Sequence, residues 1–130
     1  MEHHLTTYIT HDTLISALGF GTQENLEAIR SYHSGITLQT DKRIADTPLL
    51  AATLSQERLQ QQAEAIGVSG YPRIEQLFIL TINELIRQSG QTLEDKTCGL
   101  ILSTTKGNID LLARHTEHPD EAVFLWKMAE

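Results

Sequence analysis

The stretch Cys98-Gly-Leu-Ile-Leu-Ser-Thr-Thr-Lys-Gly-Asn-Ile-Asp-Leu-Leu112 decides how the rest of the sequence is interpreted. Its nearly continuous apolar part, residues 97–103, is typical of a strand that is buried on both faces of a parallel sheet. A polar turn containing Gly107 follows, and Ile109 begins a new helical pattern. Because functional groups of α/β proteins collect where strands lead into helices, this turn is the first place to look for a site.

The strongest predicted helix lies directly before this strand. Apolar residues between Ile74 and Ile86 recur at the i, i+3, i+4, i+7 spacing of one helix face. Glu75 lies near the predicted N-terminus and Arg87 near the C-terminus, where each charge is favourable, and Gly90 is placed to end the helix. A helix followed by a buried strand predicts a βαβ crossover and therefore an α/β fold.

The other predicted elements are shorter and less regular. They are a first strand within residues 8–19, a helix from the N-cap Thr22 to Ser34–Gly35, a mostly extended connection over residues 36–55, a helix over Gln56–Ile66, and a helix over residues 121–130 that follows a break at 115–119. All of these fit one domain over residues 1–130, since single domains usually have about 100–150 residues.

Composition excludes several classes of function. The formal charge of −7 argues against nucleic acid or an anionic membrane as partner, because both select clustered positive charge. A single cysteine excludes an internal disulfide and suits a reducing compartment. No apolar run approaches the ~18–20 residues that a membrane span needs, and the first residues do not read as a secretory signal. We therefore expect a soluble cytoplasmic protein.

The chemically reactive side chains form no recognisable catalytic or metal-binding set. Cys98 lies at the start of an apolar strand, where a small buried thiol is commonplace. The histidines lack the spacing of a dedicated zinc site, and His115-x-x-His118 is better explained as loop surface. The turn at 103–107 lacks the glycine and lysine order of a phosphate-binding loop, so a structural turn and the wall of a pocket are both open interpretations.

Four segments together resemble the N-terminal part of a β-ketoacyl synthase. Residues 9–21 are similar to the opening strand and glycine turn of that family, and residues 26–36 to the helix that ends in an Arg-Ser-Gly-Ile-like phrase. Residues 71–90 resemble the long helix before the third strand, and 97–112 that strand and its turn. The segments occur in the family's order, although Thr10–Thr13 stands where relatives often have a glycine-rich turn.

The resemblance implies an α/β fold of the thiolase-like type, here an incomplete one: the N-terminal part of its first half, with a parallel or mixed sheet and crossover helices. The family transfers an acyl chain from a carrier protein to a cysteine, and two histidines promote decarboxylation of the malonyl-carrier that condenses with it. No positions of this chain match that cysteine or those histidines, and Cys98 precedes the turn. We therefore expect no catalytic, cofactor-binding or metal-binding residue here, and no activity of the chain alone.

The turn is the one segment that aligns with the neighbourhood of the family's acyl pocket. The residues expected to lie beside that pocket, without a catalytic role, are Thr104, Thr105, Lys106, Gly107 and Asn108. The carrier protein would then be a partner of the full-length enzyme, in fatty-acid or polyketide-type synthesis. Lys106 stands where apolar residues often line the pocket, which marks a divergent branch.

Three hypotheses follow from the sequence. The first is the N-terminal portion of a β-ketoacyl synthase, truncated at its C-terminal end, which would expose apolar surface around Leu125, Trp126 and Met128 and self-associate. The second is a non-catalytic subunit, a half-domain that pairs with a ketosynthase. The third is an unrelated small α/β domain that binds a ligand such as a nucleotide or metal.

Overall fold

The computed structural model of the chain describes residues 6–94 and 96–113. The elements in chain order are β1 (Ile15–Ser16), β2 (Gly19–Phe20), α1 (Thr22–Arg30), β3 (Ile36–Gln39), β4 (Leu49–Ala52), α2 (Gln56–Ala65), α3 (Arg73–Ser89) and a 3₁₀-helix (Ile109–Ala113). The described residues divide into two units, the first with residues 6–53 and 83–91 and the second with residues 54–82, 92–94 and 96–113, so α3 contributes to both.

The start of the first unit is organised around the buried side chain of Asn25 on α1. Its Nδ2 donates to the carbonyl oxygens of Leu14, Gly19 and Gly21 at 3.2, 3.0 and 2.8 Å. Its Oδ1 accepts the hydroxyl of Ser16. Since β1 and β2 are only two residues long, these side-chain bonds fix the β1–β2 hairpin against the helix that follows it.

A second antiparallel hairpin, β3 with β4, occupies part of the segment expected to be an extended connection. Its register pairs Ile36 with Ala52 and Leu38 with Leu50. Directly paired side chains lie on the same face of a sheet, so these four residues form one apolar face. All four are exposed.

The second unit contains α2, which confirms the helix predicted over residues 56–66 and ends one residue earlier, at Ala65. Ser55 caps this helix by accepting a hydrogen bond from the backbone N–H of Arg58. Leu59 and Ala63, four residues apart on one face, are the buried apolar residues in the part of the chain that the structure describes. The described core is therefore small, and polar contacts carry much of the local order.

Helices α1 and α2 end in the same hydrogen-bond motif with different residues at its left-handed position. Gly67 follows α2 with φ 75°, and Gly67 N–H and Val68 N–H donate to the carbonyls of Glu64 and Ala63. After α1 the equivalent donors are Tyr32 and His33, which bond to Ile29 and Ala28, and Tyr32 has φ 57°. Helix α1 thus ends at Arg30, before the predicted Ser34–Gly35, with a tyrosine where glycine is usual.

The predicted long helix is confirmed as α3, which ends just before Gly90. Its apolar residues are half-buried, and the buried side chain of the helix is Gln76. Gln76 Nε2 donates to the carbonyls of Ser69 and Tyr71 at 3.1 and 2.8 Å, which anchors the loop before the helix. The helix and its apolar stripe were therefore correctly predicted, and the stripe is half-buried.

None of the described helices is both long enough and apolar enough to cross a membrane.

Several local predictions were wrong. Residues 97–103 are not a strand, and Leu100 and Ile101 are exposed, because no other described segment pairs with them. Tyr8 and Ile9 are likewise outside any strand, and the first strand begins only at Ile15. Gly21, not Thr22, is the N-cap of α1.

The described strand pairings are all antiparallel, so the parallel sheet and the thiolase-like architecture stay predictions. The helix that was predicted to begin at Ile109 is a short 3₁₀-helix as far as Ala113. The predicted helix at 121–130, with Leu125, Trp126 and Met128, lies outside the described residues.

Candidate functional site

The predicted pocket-adjacent residues 104–108 form a tight turn that is held by its own first side chain. Thr104 Oγ1 accepts hydrogen bonds from the backbone N–H groups of Lys106 and Gly107, at 3.4 and 3.1 Å. Gly107 has φ 55°, a left-handed conformation that favours glycine. The backbone path of the turn therefore favours glycine at this position.

The end of the turn is fixed to α3 by one side-chain contact. Asn108 is fully buried, and its Nδ2 donates to Glu75 Oε1 at 2.5 Å, across 33 residues of chain. The carbonyl of Asn108 also accepts the N–H of Leu111, which starts the 3₁₀-helix. Thr105 and Lys106 are exposed, while Gly107 is buried. The five residues therefore divide into a solvent-facing tip and a buried base.

A cleft of about 430 Å³ lies beside the base of this turn within the second unit. Its walls come from α2, the loop before α3, the first turn of α3 and the 3₁₀-helix. The lining residues are Gln56, Leu59, Gln60, Ser69, Gly70, Tyr71, Pro72, Arg73, Gln76, Asp110 and Leu111. Most of these side chains are polar, so the cleft is suited to a small polar molecule more than to an acyl chain.

The charged groups of the cleft are Arg73 and Asp110. Gln56 accepts hydrogen bonds from Arg73 Nη1 and Nη2 at 2.6 and 2.9 Å when its amide oxygen faces the guanidinium. This contact holds the exposed side chain of Arg73 at the start of α3. The arrangement supplies hydrogen bonds, one positive charge and one negative charge. No histidine or cysteine of the described chain lines it, so it contains no nucleophile–base pair of the kind that acyl transfer needs.

The five predicted site residues and the cleft are neighbours without overlapping. None of residues 104–108 is among the lining residues, but Asp110 and Leu111, two and three positions beyond Asn108, are. Sequence reasoning missed Gln56, Arg73 and Gln76. The available signal was local: Ser55 and Pro72 mark two helix starts, and polar residues in the first turns of two helices can converge on one space.

The side chains of the described residues that could bind a metal ion do not form a cluster. No group of three or more His, Cys, Asp or Glu side chains within residues 6–94 and 96–113 is arranged to hold a metal ion. His11 and His33 are exposed, and Cys98 is an exposed free thiol, not the buried one that was expected. His115 and His118 lie outside the described residues.

The large shifts in carboxyl pKa belong to surface ion pairs of the first unit. Hydrogen bonds from Arg43 lower the pKa of Asp41 to about 2. Hydrogen bonds from Arg87 and then Gln88 lower the pKa of Glu84 to about 2. Both carboxylates are paired with arginines two or three positions along the chain, which is typical of local surface order. Neither pair indicates an acid–base site.

Comparison of the chain with known proteins identified no relative. No family model matches the chain, and no match was found among curated protein sequences or among solved structures.

Proposed function

We propose that this chain carries the N-terminal segment of a cytoplasmic β-ketoacyl synthase and is inactive alone. In the complete enzyme it would support decarboxylative condensation of acyl groups carried by an acyl carrier protein. The chain would contribute scaffold and the turn at 104–108, while the cysteine and the two histidines of the reaction would come from other sequence.

The observation that supports this proposal is the exposure of the apolar segment that resembles the family's third strand. Leu100, Ile101 and Leu102 are consecutive, and a strand places consecutive side chains on opposite faces. Such a segment needs cover on both faces, which is what the interior of a larger layered sheet supplies. The contact between Asn108 and Glu75 also joins the turn to α3, the helix that resembles the one before that strand.

The test starts with the size of the native polypeptide. An antibody against residues 71–112 should detect a product much larger than 14.6 kDa in the source cells. The captured protein, incubated with acyl-carrier and malonyl-carrier protein, should form the 3-oxoacyl-carrier product by mass spectrometry. The 130-residue chain is the matched control, and it should form none.

Two outcomes would refute the proposal. A large native product without condensing activity would exclude the synthase. A native product of 14.6 kDa would exclude the enzyme segment and favour a separate subunit, whose partner could then be isolated by co-purification.

A further inference from the structure

The cleft of the second unit is lined by two opposite charges that do not neutralise each other. Arg73 lies at the start of α3 and Asp110 in the 3₁₀-helix, and both residues are exposed. They form no ion pair with each other, and no described residue is an ion-pair or hydrogen-bond partner of the Asp110 carboxylate. A molecule in the cleft therefore meets one positive and one negative group whose charges are not already paired.

A buried hydrogen-bond acceptor also borders this cleft. Gln76 is 8% exposed, and its Nε2 donates to the carbonyls of Ser69 and Tyr71. No described residue donates a hydrogen bond to Gln76 Oε1, and this atom is not sealed from solvent. Because a buried acceptor without a donor is costly, and because Gln76 lines the cleft, a donor on a bound molecule would be favourable here.

The signs of these groups select the class of ligand. A guanidinium binds a carboxylate through two parallel hydrogen bonds, and Gln56 already holds that of Arg73, so less side-chain freedom is lost on binding. The carboxylate of Asp110 and the amide oxygen of Gln76 both accept hydrogen bonds, as an ammonium group requires. A multiply charged anion would be repelled by Asp110 and a metal ion by Arg73. The volume of about 430 Å³ lies near the lower end of the usual range for ligand sites, about 300–1,000 Å³.

We propose that the cleft binds a free α-amino acid, with its carboxylate on Arg73 and its ammonium group on Asp110 and Gln76 Oε1. The ligand supplies each charged side chain with the opposite charge that it lacks. Leu59 and Leu111, which also line the cleft, offer apolar contact to the side chain of the amino acid. This inference concerns the second unit alone and does not rest on the proposed function.

NMR titration of the 130-residue chain with each standard L-amino acid in turn provides the first test. At least one amino acid should cause saturable shifts of the Gln76 side-chain amide and the Arg73 Nε–H signals. Acetate and methylammonium each carry only one of the two charges. They should therefore bind at least about tenfold more weakly than that amino acid, because each forgoes one set of charged hydrogen bonds.

Substitution of the two charged residues tests their roles. Arg73→Gln and Asp110→Asn should each weaken binding of the amino acid at least about tenfold, because each removes a charge-assisted contact. Arg30→Gln and Glu57→Gln are the matched controls, since both residues are exposed and neither lines the cleft. Each control variant should bind the amino acid like the unmodified chain.

Modified ligands show which charge meets which side chain. The carboxamide of the amino acid lacks the carboxylate, so Arg73→Gln should not weaken its binding further. The N-acetyl derivative lacks the ammonium group, so Asp110→Asn should not weaken its binding further. A merely structural effect of either substitution would weaken the binding of every ligand alike. Absence of saturable binding for all amino acids, equal binding of acetate or methylammonium, equal losses in the control variants, or equal losses for the modified ligands would each overturn the proposal.

Discussion

Asn108 on the turn donates its side-chain N–H to the carboxylate of Glu75 on α3, and this contact joins the predicted site to the longest helix. The donor is fully buried and the acceptor is half-buried. A hydrogen bond between a buried amide and a charged acceptor is stronger than one between neutral groups. The position of residues 104–108 therefore depends on a partner 33 residues away.

Asn108→Asp should release the turn. It replaces the donor by a carboxylate beside Glu75, and we expect the free energy of unfolding to fall by about 2–3 kcal/mol. Urea denaturation measures this change, and hydrogen exchange should show loss of protection at the Gly107 and Leu111 amides. Asn83→Asp, at an exposed position of α3, is the control and should change stability by less than about 0.5 kcal/mol.

The contact between Asn108 and Glu75 can be tested by exchanging the donor and the acceptor. Combining Glu75→Gln with Asn108→Asp gives a donor opposite an acceptor again, so the double variant should recover at least half of the stability that Asn108→Asp loses. If the double variant is no more stable than Asn108→Asp, the contact does not hold the turn.

Asn25→Ala should destabilise the first unit. The substitution leaves the carbonyls of Leu14, Gly19 and Gly21 without their side-chain donor, and the hydroxyl of Ser16 without its acceptor. Unsatisfied groups at a buried position cost about 1–3 kcal/mol, and we expect the upper part of that range. Thermal unfolding followed by circular dichroism measures the loss. The same substitution at exposed Asn83 should have little effect; equal losses at both positions would contradict a special role for Asn25.

Tyr32→Gly should stabilise the chain. Tyr32 holds the left-handed position after α1 with φ 57° and is 97% exposed, so its side chain contributes little packing to offset the strain. Relief of the backbone strain contributes more free energy than the greater unfolded-state entropy of glycine costs. We therefore expect the free energy of unfolding, measured by urea denaturation, to rise by about 0.5–1 kcal/mol.

Two matched variants check the cause of this gain. Gly67→Ala, at the equivalent position after α2, should lose about 1 kcal/mol, since it introduces the same strain. Tyr8→Gly changes an exposed tyrosine whose φ is not positive, and it should not stabilise the chain. A gain in Tyr8→Gly equal to that in Tyr32→Gly would show that loss of the aromatic ring, not the backbone, is responsible.

The surface pair of Glu84 and Arg87 gives a pH-dependent prediction. The pKa of Glu84 lies at about 2 in the folded chain, below its usual 4.5. A lowered pKa contributes stability that is present above pH 4.5 and is lost as the pH falls through about 2. Arg87→Met should raise the Glu84 pKa towards 4.5, as measured by carbon NMR of its carboxyl group. Since the pair is largely solvated, the accompanying loss of stability should be small.

Arg43→Met is the control for this titration. It should leave the Glu84 midpoint unchanged and raise that of Asp41, whose pKa of about 2 depends on hydrogen bonds from Arg43. A shift of both midpoints in either variant would indicate a general loss of structure.

The elements that sequence predicted correctly are those whose formation depends on neighbouring residues. Helix α3 follows from a sustained apolar period between Ile74 and Ile86, and α2 from the helical spacing of Leu59, Ala63 and Ile66. The strand predicted over residues 97–103 was wrong, because a strand forms only when another strand supplies hydrogen-bond partners. The predicted end of α1 at Ser34–Gly35 was also wrong, because Tyr32 takes the left-handed position that ends the helix.

The sequence indicated only the part of the candidate region that is formed by consecutive residues. The turn at 104–108 was located because its polar residues and Gly107 follow an apolar run directly in sequence. Its attachment through Asn108 to Glu75, and the cleft lined by Gln56 and Arg73, join residues that are distant along the chain. No local pattern encodes such contacts.

The sequence by itself determined the three α-helices, the turn and the overall acidic charge, since helix periodicity, capping and composition act over a few residues or require no structure at all. Only the tertiary structure decided that Asn25 and Asn108 are buried as polar anchors, that the 98–103 segment is left exposed, and which side chains line the cleft. Burial and long-range hydrogen bonding depend on which segments meet in space, and that is settled by the packing of the whole described chain.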